Sequence, residues 1–397
     1  GLLGEVTARH GTAFSLTLDA LGDTPIGLQF TQPLLRGAGT TVNEAPVDIA
    51  RIVETQNFLD LRQTLINTVS TTVTQYTSLI QAQEAVVIQT QALERRRQRL
   101  EILTALVEAG RNARVDLADA RRSVADAERD LLLAQTQLEE ANTALLDQVG
   151  TEQPIVFVAS ADTIAELFTV AEARIETFDL EDLVAIAYQG RPDYLQTELD
   201  QQIAQLNLLL ATDDLQWQLN VEGNANLGDF SETTLGLVAR RTFDEPDLET
   251  ALTRSQVERW QNENRLAQLQ TTIRNEITNQ LNTVQANLAR VEAAQRATEN
   301  ARLQLEVTQE LFRRGRSGAD IFQIITQEEN LVQAQNAELG AEIEFLNSIV
   351  NLDQAVGITL ETWSREIDFS PALLTPDSVE TFDTETPTQI IPENEAP

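Results

Sequence analysis

"LVEAGRNARVD" runs from Leu106 to Asp116 and interrupts a stretch that otherwise reads as one very long helix. Between Pro46 and Pro154 there is no proline, and the only glycines are Gly110 and Gly150. A glycine after a helix takes the left-handed conformation that closes its C-terminus. Arg111-Asn112-Ala113 supplies a turn, and a second helix is predicted to return from about Arg114 to Val149, closed by Gly150. "LFRRGRSGAD" (Leu311 to Asp320) repeats the plan about 205 residues later, with Gly315 opening the turn and Gly357 closing the returning helix. The glycine-to-glycine spacing is 40 residues in one copy and 42 in the other. Each copy therefore reads as a helical hairpin with its tip at the glycine. A mere kink in one helix is the alternative; matched copies, each with an arginine after the glycine, argue against it.

Working outward, the stretch before the first tip shows heptad spacing. Ile52, Leu59, Ile66, Val73, Ile80 and Val87 recur every seven residues. In the second copy Leu266 and Ile273 share a seam, and Ile277, Val284 and Val291 continue it after a shift of four. Such a repeat keeps one seam facing a neighbour and winds helices left-handed. The helices are predicted at roughly 47–109 and 247–314. Each would be about 100 Å long at 1.5 Å per residue.

Ahead of each hairpin lie strand-like runs. "WQLNVEGNANLGDF" (Trp217 to Phe230) alternates: Trp217, Leu219, Val221, Ala225 and Leu227 on one face, Gln218, Asn220, Glu222, Asn224 and Asn226 on the other. "SETTLGLVARR" (Ser231 to Arg241) follows with Leu235, Leu237 and Ala239. The first copy offers Thr12–Ala20 and Pro25–Leu34, with Phe14, Leu16, Leu18, Ile26, Leu28 and Phe30 alternating. These lengths and this alternation suit tilted strands in a bilayer, polar inward and apolar outward. Two soluble hairpins packed on another surface are the competing reading. If the four strands span lipid they cannot close a barrel alone, because free edges leave backbone groups unpaired in hydrocarbon. Copies of the chain must then pool their strands.

Composition narrows the function. With 62 acidic and 28 basic residues the formal charge is −34, which argues against nucleic acid as a partner. Arg95, Arg96, Arg97 and Arg99 form the single basic run, read as a solvated or acid-paired helix face, with a docking patch as the alternative. Cysteine is absent, so there is no disulfide framework. Methionine is absent too, which reads as a processed or trimmed product. No apolar run approaches the length of a transmembrane helix. One histidine, His10, and the lack of a phosphate loop, metal-ligand cluster or nucleophile elbow argue against an enzyme and against a cofactor.

At this point the sequence resembles the TolC family of outer-membrane efflux channels, over nearly the whole chain up to about Trp363. "LQFTQPLLRGAG" (Leu28 to Gly39) looks like the family's strand leading into the long helix. "GRPDYLQTELDQQIAQLNLLLA" (Gly190 to Ala211) looks like the opening of its second repeat, and "LVEAGRNARVDLADAR" and "LFRRGRSGADIFQIITQ" like its two tips. The resemblance implies a mainly α fold with β: long helical hairpins forming a periplasmic α-barrel, and four strands per subunit contributing to a shared transmembrane barrel. It implies a homotrimer, a twelve-stranded wall and placement in the outer membrane of a Gram-negative-type bacterium, extending into the periplasm. The partners implied are outer-membrane lipid, a periplasmic adaptor (membrane fusion) protein, and an inner-membrane RND or ABC transporter, with small toxic compounds or proteins as cargo. A periplasmic coiled-coil scaffold that binds partner helices without entering a membrane is the alternative.

The layout on this reading is a first strand hairpin at 1–45, a first helical hairpin at 46–150, a mixed segment at 151–190, and an entry helix at 191–215. A second strand hairpin follows at 216–246, a second helical hairpin at 247–357, and an acidic, proline-containing tail at 358–397, read as mobile. The helix that the family carries ahead of its first strand pair has no counterpart in this sequence. By resemblance, Gly110 with Arg111 and Gly315 with Arg316 are the tips where an adaptor docks. Asp116 and Asp119 match acidic pore-facing positions, and three-residue spacing puts both on one helix face. Asp320 is the second copy's pore candidate, although it lies five residues past its glycine rather than six.

Overall fold

The computed structural model describes residues 2–18, 26–150, 156–157, 162–175, 178–226, 233–241, 246–314 and 320–363. It is mainly helical with one antiparallel sheet. The elements are β1 (Leu2–Thr7), β2 (Ala13–Leu18), β3 (Ile26–Pro33), α1 (Thr40–Glu108), α2 (Arg114–Val149), α3 (Asp162–Ile175), α4 (Leu180–Gly190), α5 (Pro192–Asp214), β4 (Gln218–Asn226), β5 (Thr234–Arg240), α6 (Pro246–Arg313), α7 (Ile321–Val356) and α8 (Thr359–Trp363). By contacts the chain forms two compact units. One holds 1–62 and 196–266; the other holds 63–195 and 267–363.

The first unit is built on the sheet, in the order β1-β2-β3-β4-β5. The four predicted strands form, and Leu2–Thr7 joins them as a fifth at the β2 edge. Their described lengths are six to nine residues; the predicted outer ends at 19–25 and 227–232 lie outside the described residues. Cross-strand register sorts side chains by face, because directly paired residues point the same way. Val6, Phe14, Phe30, Gly223 and Leu235 form one continuous row across five strands. The adjacent row, Glu5, Ser15, Gln29, Asn224 and Thr234, is wholly polar. Phe14 and Phe30 pack with ring centroids 5.1 Å apart.

The sheet is stitched where its strands meet the helices. Leu34 and Arg36 donate backbone N–H bonds to the Leu219 and Trp217 carbonyls. Arg36 binds Asp214 at 2.8 Å, and the Gly37 N–H donates to Asp213 at 2.7 Å. Gly11 sits in the β1–β2 turn at φ +85°, and a Cβ there would lie 2.3 Å from the Gly37 carbonyl oxygen. That close approach seats the turn on the loop before α1, which Asn43 braces by donating to the Gly37 and Gly39 carbonyls.

α1 starts at Thr40 rather than near residue 47, with Pro46 inside the helix. Proline there removes only the N–H that would reach the Val42 carbonyl, close to an end where the first donors lack helical partners anyway. In the same unit α1, α5 and α6 are cross-linked by Gln56 and Asn262, both donating to Asp200, and by Gln196 donating to Asp60.

The second unit holds the two helical hairpins. The seam of α6 is buried as predicted at Ile273, Ile277, Val284 and Val291, and it continues at the same seven-residue spacing through Thr298 and Leu305. On α1, Ile66 and Ile80 are buried, whereas Val87 is exposed. Around α7, Phe168 packs on Phe345 at 4.9 Å, and Arg174 clasps the fully buried Asp353 with bonds of 2.6 and 3.2 Å. The tail beyond Trp363 lies outside the described residues.

Candidate functional site

The first tip follows from three residues. Gly110 has φ +70°. Its N–H bonds the Val107 carbonyl and the Arg111 N–H bonds the Leu106 carbonyl, the paired pattern that closes a helix C-terminus. Two residues later the returning helix begins, with Ala113 at its N-cap. Alanine offers no acceptor, so Asp116 supplies the cap from inside the helix. Its Oδ2 accepts from the Ala113 N–H at 3.2 Å and from the Asn112 amide at 3.1 Å. Arg111 and Asp119 are exposed, and Asp116 is half-buried.

In the second copy Gly315 and Arg316, with the additional Gly318, lie outside the described residues. Asp320 is described, and it is the N-cap of α7: its Oδ1 accepts from the Gln323 N–H at 2.8 Å. The two acidic positions singled out by resemblance thus do the same local work from different registers. One reaches back from the third helical residue; the other caps from outside. Asp116 lies three residues past its N-cap and Asp320 is itself the N-cap, while Gly110 precedes its N-cap by three residues and Gly315 by five, which leaves the offset of one residue between the copies.

The two hairpins are joined by an apolar cluster. Leu103 and Ala120 of the first hairpin pack with Leu305, Ile321, Ile324 and Leu331 of the second, with Leu100, Ala301 and Phe312 around them. Just beyond it lies a buried polar knot. Arg99 pairs with Glu328 of the other hairpin, and both side chains are nearly inaccessible, at 8% and 4%. Arg99 also donates to the Ser123 hydroxyl, and Arg96 to the Ser123 carbonyl, each at 3.0 Å. Arg97 alone of the run takes the surface role, bonding Glu128 at 2.7 Å. Burial pushes the Glu328 carboxyl up and the Arg99 guanidinium down, and their mutual contact opposes both shifts. The reading of this run as a solvated face is corrected here. The acid-paired half of that reading holds, but Arg96 and Arg99 face inward because Ser123 and Glu328 meet them there.

The sheet carries the other candidate feature. Its apolar face exposes Val6, Phe14, Leu28, Leu235 and Leu237. At the helix-proximal end this face turns polar, where Thr12 donates to Gln32, and Trp217 lies there under the Arg241 guanidinium at 4.9 Å. Among the described residues no helix is long and apolar enough to cross a membrane, and no group of three or more metal-type ligands gathers.

Residues 7–151, which run from the end of β1 through the first hairpin, match the outer membrane efflux protein family. No curated protein matches the chain in sequence. The fold is shared with solved channels of low identity. CusC, whose structures concern folding and transmembrane channel formation, is 17% identical with a TM-score of 0.65, over 87% of this chain and 82% of CusC. The outer-membrane channel OprN is 16% identical with a TM-score of 0.62, over 89% and 80%. The Campylobacter jejuni CmeC outer membrane channel is 14% identical with a TM-score of 0.61, over 90% and 76%.

Within this fold the "GRPD" segment, noted in sequence only as a repeat opening, has a physical role. Arg191 bonds the Ala355 carbonyl at 2.7 Å, Glu276 at 2.8 Å, and Asp193 through two nitrogens at 3.0 and 2.8 Å. It thereby satisfies a carbonyl left open at the end of α7, where a cation is favoured. Burial opposes ionisation of Asp193, but the Arg191 bonds outweigh it and hold its carboxyl below the usual range.

Proposed function

We propose that this chain is the outer-membrane exit duct of an export system, acting as a homotrimer. The observation that carries the reading is the sheet. One face is contiguous and apolar yet exposed, with Leu235 77% and Val6 70% accessible. The opposite face is polar, and both edges are free of partners among the described strands. Such a sheet is stable in a bilayer only when its edges are closed and its apolar face meets lipid. Copies of the chain supply that closure. The duplicated helical hairpins then repeat around the same axis and extend the duct into the periplasm.

In this reading the tips at Gly110–Arg111 and Gly315–Arg316 receive the helical hairpins of a periplasmic adaptor protein. An inner-membrane RND or ABC transporter feeds the duct with small toxic compounds or proteins. Asp116, Asp119 and Asp320 face the lumen near its closed end, where rings of carboxylates attract cations and repel anions. The chain is a conduit and performs no catalysis. A scaffold that stays out of the membrane leaves the exposed apolar rows without a purpose, so the channel reading is favoured.

Planar-bilayer recording of the purified protein tests the proposal. Discrete conductance steps that favour cations are expected, with selectivity reduced in the Asp116→Asn/Asp119→Asn double variant. Conductance with unchanged selectivity would reject those two positions as the lumen ring. A protein that stays monodisperse without detergent and never conducts would reject the channel.

A further inference from the structure

We infer that the strand wall carries a charge filter of its own, in which Glu222 and Arg240 repeat around the lumen as two opposed rings. The inference rests on the channel reading above. It adds a selectivity device that lies in the sheet rather than in the helical hairpins.

The strand register places both charges. Across β2–β5 the face opposite the apolar row is built mostly of Ser, Thr, Asn, Gln and small residues. Its charged members are Glu222 on β4 and Arg240 on β5, whereas the apolar face of these strands holds none. Charge is costly at a lipid-facing strand position and tunes selectivity at a lumen-facing one, so this segregation is what a duct wall requires. Glu222 stands directly opposite Thr31 on one side and Gly236 on the other, and Thr31 stands opposite Ala13. Each of these row neighbours is small, and a Cβ at Gly236 would meet nothing within 4 Å. No long side chain beside Glu222 in this row covers its carboxylate or supplies a counter-charge. Arg240 stands opposite Gln218, an uncharged partner. Among the described residues neither charge is taken up by an ion pair.

The order of the rings follows from the strand. β4 begins at Gln218, just after α5, and Glu222 lies four residues further along. At about 3.4 Å per residue that is roughly 13 Å along the strand, or about 10 Å along the axis of a barrel whose strands tilt by about 40°. The Debye length is about 10 Å at 0.1 M salt, so the two rings act as separate fields rather than cancelling at one level. In a trimer, guanidiniums therefore ring the helix-proximal end of the wall and carboxylates ring a level beyond it. A small anion is attracted at the first ring and repelled at the second, and a small cation meets the reverse.

Reversal potentials in planar bilayers under a KCl gradient test the filter. Glu222→Gln is expected to shift the potential toward anion preference, and Arg240→Gln toward cation preference. The Glu222→Gln/Arg240→Gln double variant should return close to the native value. The chain has no cysteine, so Thr31→Cys gives a second route. A positively charged methanethiosulfonate attached there, beside Glu222, should reproduce the Glu222→Gln shift, and it serves in place of that variant should the latter fail to assemble. Shifts of the same sign at the two positions, or a potential left unmoved by neutralising either charge, would overturn the filter and leave the channel standing. Native protein that forms no conducting channel would remove the channel reading and this inference together.

Discussion

Arg99 and Glu328 put a cation and an anion where water does not reach, at the boundary between two hairpins. Removing one partner strands the other. Arg99→Ala or Glu328→Gln is expected to cost about 3–5 kcal/mol, read as a lower midpoint in denaturant unfolding. Replacing both with apolar residues of similar volume is expected to cost much less, since a buried pair gains little over good packing. Equal losses in the single and double variants would contradict this account of the knot. Gly110 and Gly11 make a second contrast. Both have positive φ, but a Cβ at Gly110 meets open space, whereas one at Gly11 collides with the Gly37 oxygen. Gly110→Ala should therefore cost only the left-handed backbone penalty, about 1–2 kcal/mol. Gly11→Ala should cost clearly more, and comparable melting temperatures for the two variants would refute the proposed seating of the β1–β2 turn.

At the scale of elements, helix ends and junctions decide where chains reverse. Asp116 caps α2 in place of the unhelpful Ala113, so Asp116→Ala should destabilise the first tip by about 0.5–2 kcal/mol. Amide exchange confined to residues 110–118 would report it, and unchanged protection would rule out the cap. Asp193 gives a pH signature. Its carboxyl is held below its ordinary value by Arg191, so its stabilising contribution is present above about pH 4 and is lost as pH falls through the lower folded-state value. The melting-temperature gap between the native chain and Asp193→Asn should shrink between pH 6 and pH 3; a gap that widens would contradict the sign. Elements were also where sequence reading succeeded and failed. The first tip, the returning helices and the α6 seam were legible, because glycine placement and a seven-residue period are local signals. Thr298 kept the seam's spacing but not its apolarity, and so concealed its continuation to Leu305. β1 was missed because Leu3 and Gly4 break its alternation, and only pairing with β2 reveals its faces. The Arg95–Arg99 run looked like surface because its partners Ser123 and Glu328 lie far away in sequence.

For the whole molecule, duplication explains how a long chain with few aromatics is organised. Each copy pairs a strand hairpin with a helical hairpin, and neither half encloses its own apolar surface. The sheet leaves an apolar face and two edges open, and the proposal is that sister subunits and lipid complete it. Assembly and membrane insertion are then one event, and a single subunit has no stable place in water or in lipid. Electron microscopy of the detergent-solubilised particle, viewed end-on and side-on, tests that claim most directly. A hollow, threefold-symmetric cylinder is predicted, with a detergent belt at one end and a bore running through it. A solitary compact particle, or a trimer with no central bore, would contradict the account.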